Sequence, residues 1–86
     1  MNWAQQKRQE FIRDLLNLRG TINRADLMEE FGISIVSASH DLRSFLASED
    51  ARKLGVEYSH SRHRYETAHE RLKVKLRENA GKGNSE

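Results

Sequence analysis

The 86-residue sequence contains no cysteine. Disulfide bonds, thiolate zinc sites and a catalytic thiol are therefore excluded. Long apolar segments are also missing. The first residues do not form the apolar core of a signal peptide, and no uninterrupted apolar run approaches the roughly 20 residues that a membrane span needs. These absences predict a soluble, cytoplasmic protein that does not bind a membrane and is held together by packing.

Signals of catalysis are missing too. The chain shows no glycine-rich phosphate loop, no nucleophile elbow and no pair of acids suited to general acid–base chemistry. The pair His60-x-x-His63 does not predict a metal site. This spacing on a strand and turn does not aim both imidazoles at one point, and no nearby carboxylate pair completes a ligand set. We therefore expect neither an enzyme nor a protein with a metal or cofactor.

Charge of one sign is not in large excess. Fifteen Lys and Arg residues against thirteen Asp and Glu leave a formal net charge of +2. The distribution says more, because residues 52–64 carry four Lys or Arg side chains and two histidines against one acid, Glu57. At this length a single core buries only roughly 60–65% of the unfolded chain's surface, so we expect one marginally stable domain that gains from dimerisation.

Helix caps and hydrophobic periodicity predict four helices. They follow the caps Asn2, Asn23, Ser34 and Thr67 and are expected over residues 3–18, 24–31, 35–47 and 68–79. Apolar–polar alternation predicts strands at 56–58 and 64–67, with a bridging strand at 21–23. Residues 48–55 are expected to form an irregular connection, with a helical turn as the alternative. The chain then divides into a domain at 1–67, a C-terminal helix at 68–80 and a disordered tail at 81–86.

The predicted core is drawn from the inner faces of the first three helices and the bridging strand. Its expected members are Phe11, Ile12, Leu15, Leu16, Leu18, Ile22, Leu27, Met28, Phe31, Ala38, Leu42, Phe45 and Leu46.

Gly32-Ile33-Ser34 carries the most specific pattern in the chain. Gly32 suits a tight turn, Ile33 an inward plug, and Ser34 the cap of a helix whose buried face carries Ala38 and Leu42. This spacing is typical of a helix-turn-helix, and the two strands that follow add a wing. The sequence therefore predicts a mainly α fold with a small β wing and a C-terminal helix, a winged helix-turn-helix.

The run from Gly32 to Leu42 resembles the deoxyribose-operon-repressor type of winged helix-turn-helix, which has Gly-Val-Ser, two variable residues and Thr-Ile-Arg-Arg-Asp-Leu. Residues 19–34 are more similar to the N-terminal domain of bacterial regulators that carry a downstream WYL ligand-sensing domain, including those found beside phage-defence genes. The resemblance covers about residues 11–67 and implies DNA-binding transcription regulation. Ser39 and His40 replace the family's arginine pair, and these 86 residues hold no small-molecule ligand domain.

Candidate DNA contacts lie in three places. The outer face of the third helix, the recognition helix, would enter the major groove. The wing would meet phosphates or enter a narrow minor groove, and the start of the second helix would meet phosphates. Arg43 is expected to read bases and Arg62 to add affinity on any sequence. The alternative for each set is a solvated polar surface. The candidates are Thr21, Arg24, Ser34, Val36, Ser37, Ser39, His40, Arg43, His60, Arg62, His63 and Arg64.

A dimer seam is predicted from apolar residues that the core does not use. Leu72 and Leu76 form a narrow stripe with His69 on an otherwise charged helix, which suits a pairing helix, and Trp3 is a further candidate. The alternative is that these side chains pack onto their own domain.

These features favour a repressor that binds an imperfectly palindromic operator on double-stranded DNA as a homodimer. The half-site centres would lie one helical turn, roughly 10–10.5 base pairs, or a multiple of it apart. Two alternatives stay open. One is a winged-helix module that binds proteins, such as a phage protein acting on a host regulator; the other is a DNA-architectural protein.

Overall fold

A computed structural model describes residues 2–83 as five helices and a small sheet. The helices and strands follow one another along the chain as α1 (Trp3–Arg19), β1 (Thr21–Ile22), α2 (Arg24–Phe31), α3 (Ile35–Leu46), α4 (Glu49–Leu54), β2 (Glu57–Ser59), β3 (Arg64–Glu66) and α5 (Ala68–Gly83). Helices α2 and α3 form the helix-turn-helix, and β2 and β3 form the wing. The predicted winged helix-turn-helix is confirmed.

Local capping explains where the first three helices begin. The side chains of Asn2 and Asn23 accept hydrogen bonds from the backbone N–H groups of Gln5 and Asp26, and each cap forms a reciprocal box. Gly32 ends α2 in the left-handed region, at φ 63°. The sharp turn that this conformation allows lets α3 start only three residues later.

The sheet joins the wing to the helix-turn-helix. Its three antiparallel strands lie in the order β1-β3-β2, so β3 is central. Ile22 pairs with Tyr65, and Tyr65 with Tyr58; in the next row Glu66 lies between Thr21 and Glu57. Because side chains alternate between faces of a strand, the tyrosines share the face of buried Ile22, whereas Glu66 and Arg64 occupy the opposite face.

The core lies where α1, α2, α3 and β1 meet. Its fully or nearly fully buried apolar side chains are Ile12, Leu16, Ile22, Leu27, Ala38, Leu42, Phe45 and Ala51, with Phe11, Leu15, Met28, Phe31 and Ile33 half-buried around them. Two predicted core residues are wrong. Leu18 is 85% exposed, because it lies two residues, or about 200° of helix rotation, from buried Leu16. Leu46 is exposed at the last position of α3.

Two helices differ from the prediction. The connection after α3 contains α4, which Ser48 caps by accepting a hydrogen bond from Ala51 N–H at 3.2 Å. Helix α5 continues through Gly81 to Gly83, so Gly81 does not end it; glycine inside a helix costs only about 1 kcal/mol. Of the predicted tail, residues 84–86 lie outside the described residues. Within residues 2–83, no helix is long and apolar enough to cross a membrane.

Candidate nucleic-acid interface

The outer face of α3 is open to solvent. Ser34 caps this helix by accepting a hydrogen bond from the backbone N–H of Ser37 at 3.1 Å. Val36 is 73% exposed, and Ser37, His40 and Arg43 are exposed beside it. The opposite side carries buried Ala38 and Leu42, so the predicted division of the helix into an inner and an outer face is correct.

An open groove runs between α3, the start of α2 and the wing. It has a volume of about 580 Å³. Cationic or potentially cationic side chains enter it from three elements: Arg24 from α2, Arg43 from α3 and His63 from the wing. The full lining is Asn23, Arg24, Ala25, Met28, Ile35, Ser39, Arg43, Tyr58, His63 and Tyr65. No carboxylate is among these described residues.

Two tyrosines form the wing side of the groove. Tyr58 and Tyr65 are cross-strand partners with ring centroids 4.9 Å apart, and the His60 ring lies 5.0 Å from that of Tyr58. Burial raises the pKa of Tyr65, and the charges of Arg24 and Arg43 act in the opposite direction. Sequence reasoning missed both tyrosines, although strand alternation places them on one face.

The wing arginines are held by an internal acid. Arg62 Nε donates to Glu66 Oε2 at 2.7 Å and its NH2 group donates to Oε1 at 2.9 Å. Arg64 Nε donates to the same Oε2 at 2.7 Å, and Arg64 Nη2 donates to Glu70 Oε2 at 3.4 Å. Arg64 therefore lies on the sheet face opposite the groove. Both arginines were predicted to meet phosphates, and the structure gives each a carboxylate partner within the domain.

Glu66 is the centre of that ion cluster. Glu66 is 0% exposed, and burial alone would raise its pKa and favour the neutral acid. The hydrogen bond from Arg62 dominates over burial, and together with Arg64 it lowers the pKa of Glu66 from the ordinary 4.5 to about 2. Glu66 is thus ionised throughout the physiological range and fixes two guanidinium groups against the wing.

A second buried carboxylate joins α3 to α1. Asp41 is 3% exposed and accepts two hydrogen bonds from Arg8, while Gln9 Nε2 donates to its carbonyl at 3.0 Å. This contact ties the middle of α3 to the first half of α1. The sequence shows Asp41 at the end of the helix-turn-helix pattern, but nothing local identifies Arg8 as its partner, 33 residues earlier.

The remaining predicted contacts lie in different surroundings. Thr21 is buried and its hydroxyl accepts from Arg19 Nε at 3.2 Å, so it lies outside the exposed surface around the groove. Arg24 is exposed at the first position of α2. Ser39 is half-buried in the groove wall.

The predicted seam residues do not form one patch. Trp3 begins α1 and is 73% exposed under the Lys7 ammonium. His69 lies near the opposite end of α1, close to the hydrogen bond that Thr67 N–H donates to Gly20 O. Because α1 has 17 residues and is about 25 Å long, its length separates Trp3 from His69. Leu72 and Leu76 are 51% and 57% exposed, on the side of α5 away from buried Glu70.

Comparison with known proteins agrees with this geometry. The model of the BrxR transcriptional regulator winged helix-turn-helix domain matches residues 4–80. Two curated relatives, each named DNA-binding transcriptional repressor CapW, come from Escherichia coli strain KTE188 and from Escherichia coli. Each is 46% identical over 43 residues, 50% of this chain. The match spans 14% of each relative's length. With nine-tenths of its residues matched, the chain belongs to the winged helix-turn-helix domain family of BrxR transcriptional regulators.

Proposed function

We propose that the chain binds double-stranded DNA with sequence preference, with α3 as its recognition helix. The observation that carries this proposal is the exposed Val36 on the outer face of α3, beside His40 and the cationic groove. A valine side chain that is 73% exposed does not stabilise the fold by burial. Its methyl groups suit contact with a thymine methyl in the major groove. Helix α3 is the second helix of the helix-turn-helix, the position of the recognition helix in a winged-helix domain.

The groove beside α3 supplies the contacts to the sugar–phosphate backbone. Arg24 and Arg43 enter it from two helices and face no carboxylate among its described lining residues. Arg62 and Arg64 already donate to Glu66, so fewer of their N–H groups are free for phosphates. The groove arginines therefore provide most of the affinity, and Arg43 contributes to phosphate binding as well as to base reading.

Selection of bound sites from a random DNA pool tests the proposal. Wild type should enrich one motif that contains a thymine at a fixed position. Val36→Ala should lose the preference at that position. Leu18→Ala truncates an apolar residue of α1 that is even more exposed than Val36, and it should select the wild-type motif. Arg24→Ala should weaken binding to every sequence and flatten its salt dependence. A pool without enrichment after repeated rounds contradicts sequence preference.

We infer that the regulator is a homodimer acting as a repressor on a palindromic site. Leu72 and Leu76 face away from the domain on α5, which matches a pairing helix. The relatives' name as repressors supports the direction of regulation. Leu72→Lys combined with Leu76→Lys should shift the mass measured by light scattering from dimer to monomer, and Lys75→Ala on the same helix should not. A selected motif without inverted half-sites contradicts the symmetric dimer.

A further inference from the structure

The tip of the wing has a backbone conformation that favours glycine. His63 has φ 55°, and within residues 2–83 it is the one non-glycine residue with positive φ. The other three positions in this region carry Gly20, Gly32 and Gly55. Histidine and asparagine enter the left-handed region more readily than most residues, but glycine does so without a steric cost. The backbone conformation therefore does not explain why position 63 carries histidine and not glycine.

The surroundings of His63 indicate a function for the imidazole. It lines the groove together with Arg24 from α2, Arg43 from α3, Tyr58 from β2 and Tyr65 from β3. Among the residues that line the groove, these are the charged and titratable ones, and none is an acid. Two guanidinium groups, an imidazole and two phenols form a set of hydrogen-bond donors with no anion of their own in the groove. Their shared chemistry fits an oxyanion supplied from outside.

We propose that His63 binds a DNA phosphate in its protonated form, so that DNA binding takes up a proton at the wing tip. The proposal rests on the proposed function, because the phosphate belongs to the bound duplex. A phosphate beside the imidazole stabilises imidazolium, and histidine changes charge near neutral pH. Affinity for DNA therefore rises as the pH falls from 8 to 6, and one phosphate contact is gained in that interval.

The test uses a short fluorescent duplex of random sequence, since a phosphate contact does not depend on the bases. Anisotropy titrations at several NaCl concentrations give the slope of log K against log[NaCl] at pH 6 and pH 8. His63→Asn keeps a side chain that tolerates positive φ and removes the charge. It should make the slope shallower by about 0.9 at pH 6, the value of one phosphate contact, and change it little at pH 8.

Lys53→Gln is the matched control, because Lys53 is an exposed cation of α4 that does not line the groove. It should keep the wild-type slope at pH 6. A wild-type slope in His63→Asn at pH 6 would overturn the proposal. Failure of wild type to bind the duplex at low salt would overturn the proposed function and this inference together, so the two failures are distinguishable.

Thermal stability separates this role from a structural one. His63→Gly relieves the backbone conformation and should melt at the wild-type temperature or above it, and His63→Asn should melt within about 4 °C of wild type, which corresponds to about 1 kcal/mol in a domain of this size. A larger fall in both variants would show that the imidazole supports the fold, and would overturn the inference.

Discussion

Substituting Glu66 by glutamine removes the charge that holds two wing arginines and keeps the shape of the side chain. Glu66 is fully buried on β3 and accepts hydrogen bonds from Arg62 and Arg64. In Glu66→Gln the two guanidinium groups would face a neutral amide that can accept fewer hydrogen bonds and donates N–H groups of its own. We expect a loss of stability and a looser wing.

The pKa of Glu66 sets the size of this effect. A carboxyl pKa lowered from 4.5 to about 2 corresponds to up to about 3 kcal/mol of folding free energy at neutral pH. Because the pKa is lower in the folded state, this contribution is complete above about pH 5 and is lost as the pH falls toward 2. About 1 kcal/mol of it is already gone at pH 3.5. In Glu66→Gln this pH dependence should be absent.

Urea unfolding followed by circular dichroism measures the difference. The stability gap between wild type and Glu66→Gln should be up to about 3 kcal/mol at pH 7 and about 1 kcal/mol narrower at pH 3.5. Glu57→Gln is the control: Glu57 is the exposed neighbour of Glu66 in the sheet, and its stability gap to wild type should be small at both pH values. An equal gap for Glu66→Gln at both pH values would refute the reasoning.

Two further comparisons test the fold by thermal unfolding. Gly55 and Gly32 have almost the same positive φ, but a methyl group at Gly55 would meet a side chain of α5 at 2.8 Å while one at Gly32 would meet nothing within 4 Å. Gly32→Ala should therefore cost about 1–2 kcal/mol from the backbone alone, and Gly55→Ala clearly more; equal melting temperatures would contradict this. Arg8→Ala leaves the carboxylate of Asp41 buried without its charge partner and should destabilise by about 3 kcal/mol. Arg13→Ala removes an exposed pair and should change the melting temperature little; similar losses in both would show that burial does not set the effect.

Features of the fold that depend on neighbouring residues could be predicted from the sequence. Asn2, Asn23 and Ser34 each bond to a residue three positions later, so the caps are visible as short patterns. Helix α4 had the same kind of signal in Ser48, followed by acids in its first turn and bases in its last. The sequence predicted only an irregular connection or a single helical turn here, because a six-residue helix has too little periodicity to be detected.

Features that depend on distant residues could not be predicted in this way. A basic hairpin suggests phosphate contact, yet Arg62 and Arg64 meet Glu66, a buried residue of the central strand β3. Conversely, the sequence does not distinguish Tyr58 and Tyr65 from the strand residues of any small sheet. Only the structure shows that they line one groove with Arg24 and Arg43. The sequence shows the chemical type of each side chain. The face of the wing on which each one lies follows only from the tertiary structure.

The central position of β3 has a consequence for how this domain can be moved between proteins. Because β3 pairs with both β1 and β2, a fragment that stops before residue 64 would leave the unpaired edges of both outer strands open. The next residues are needed as well, since Thr67 N–H donates to Gly20 O beside β1. A fusion junction therefore belongs beyond the start of α5, and a helix-turn-helix excised without its wing would not be a portable DNA-binding unit.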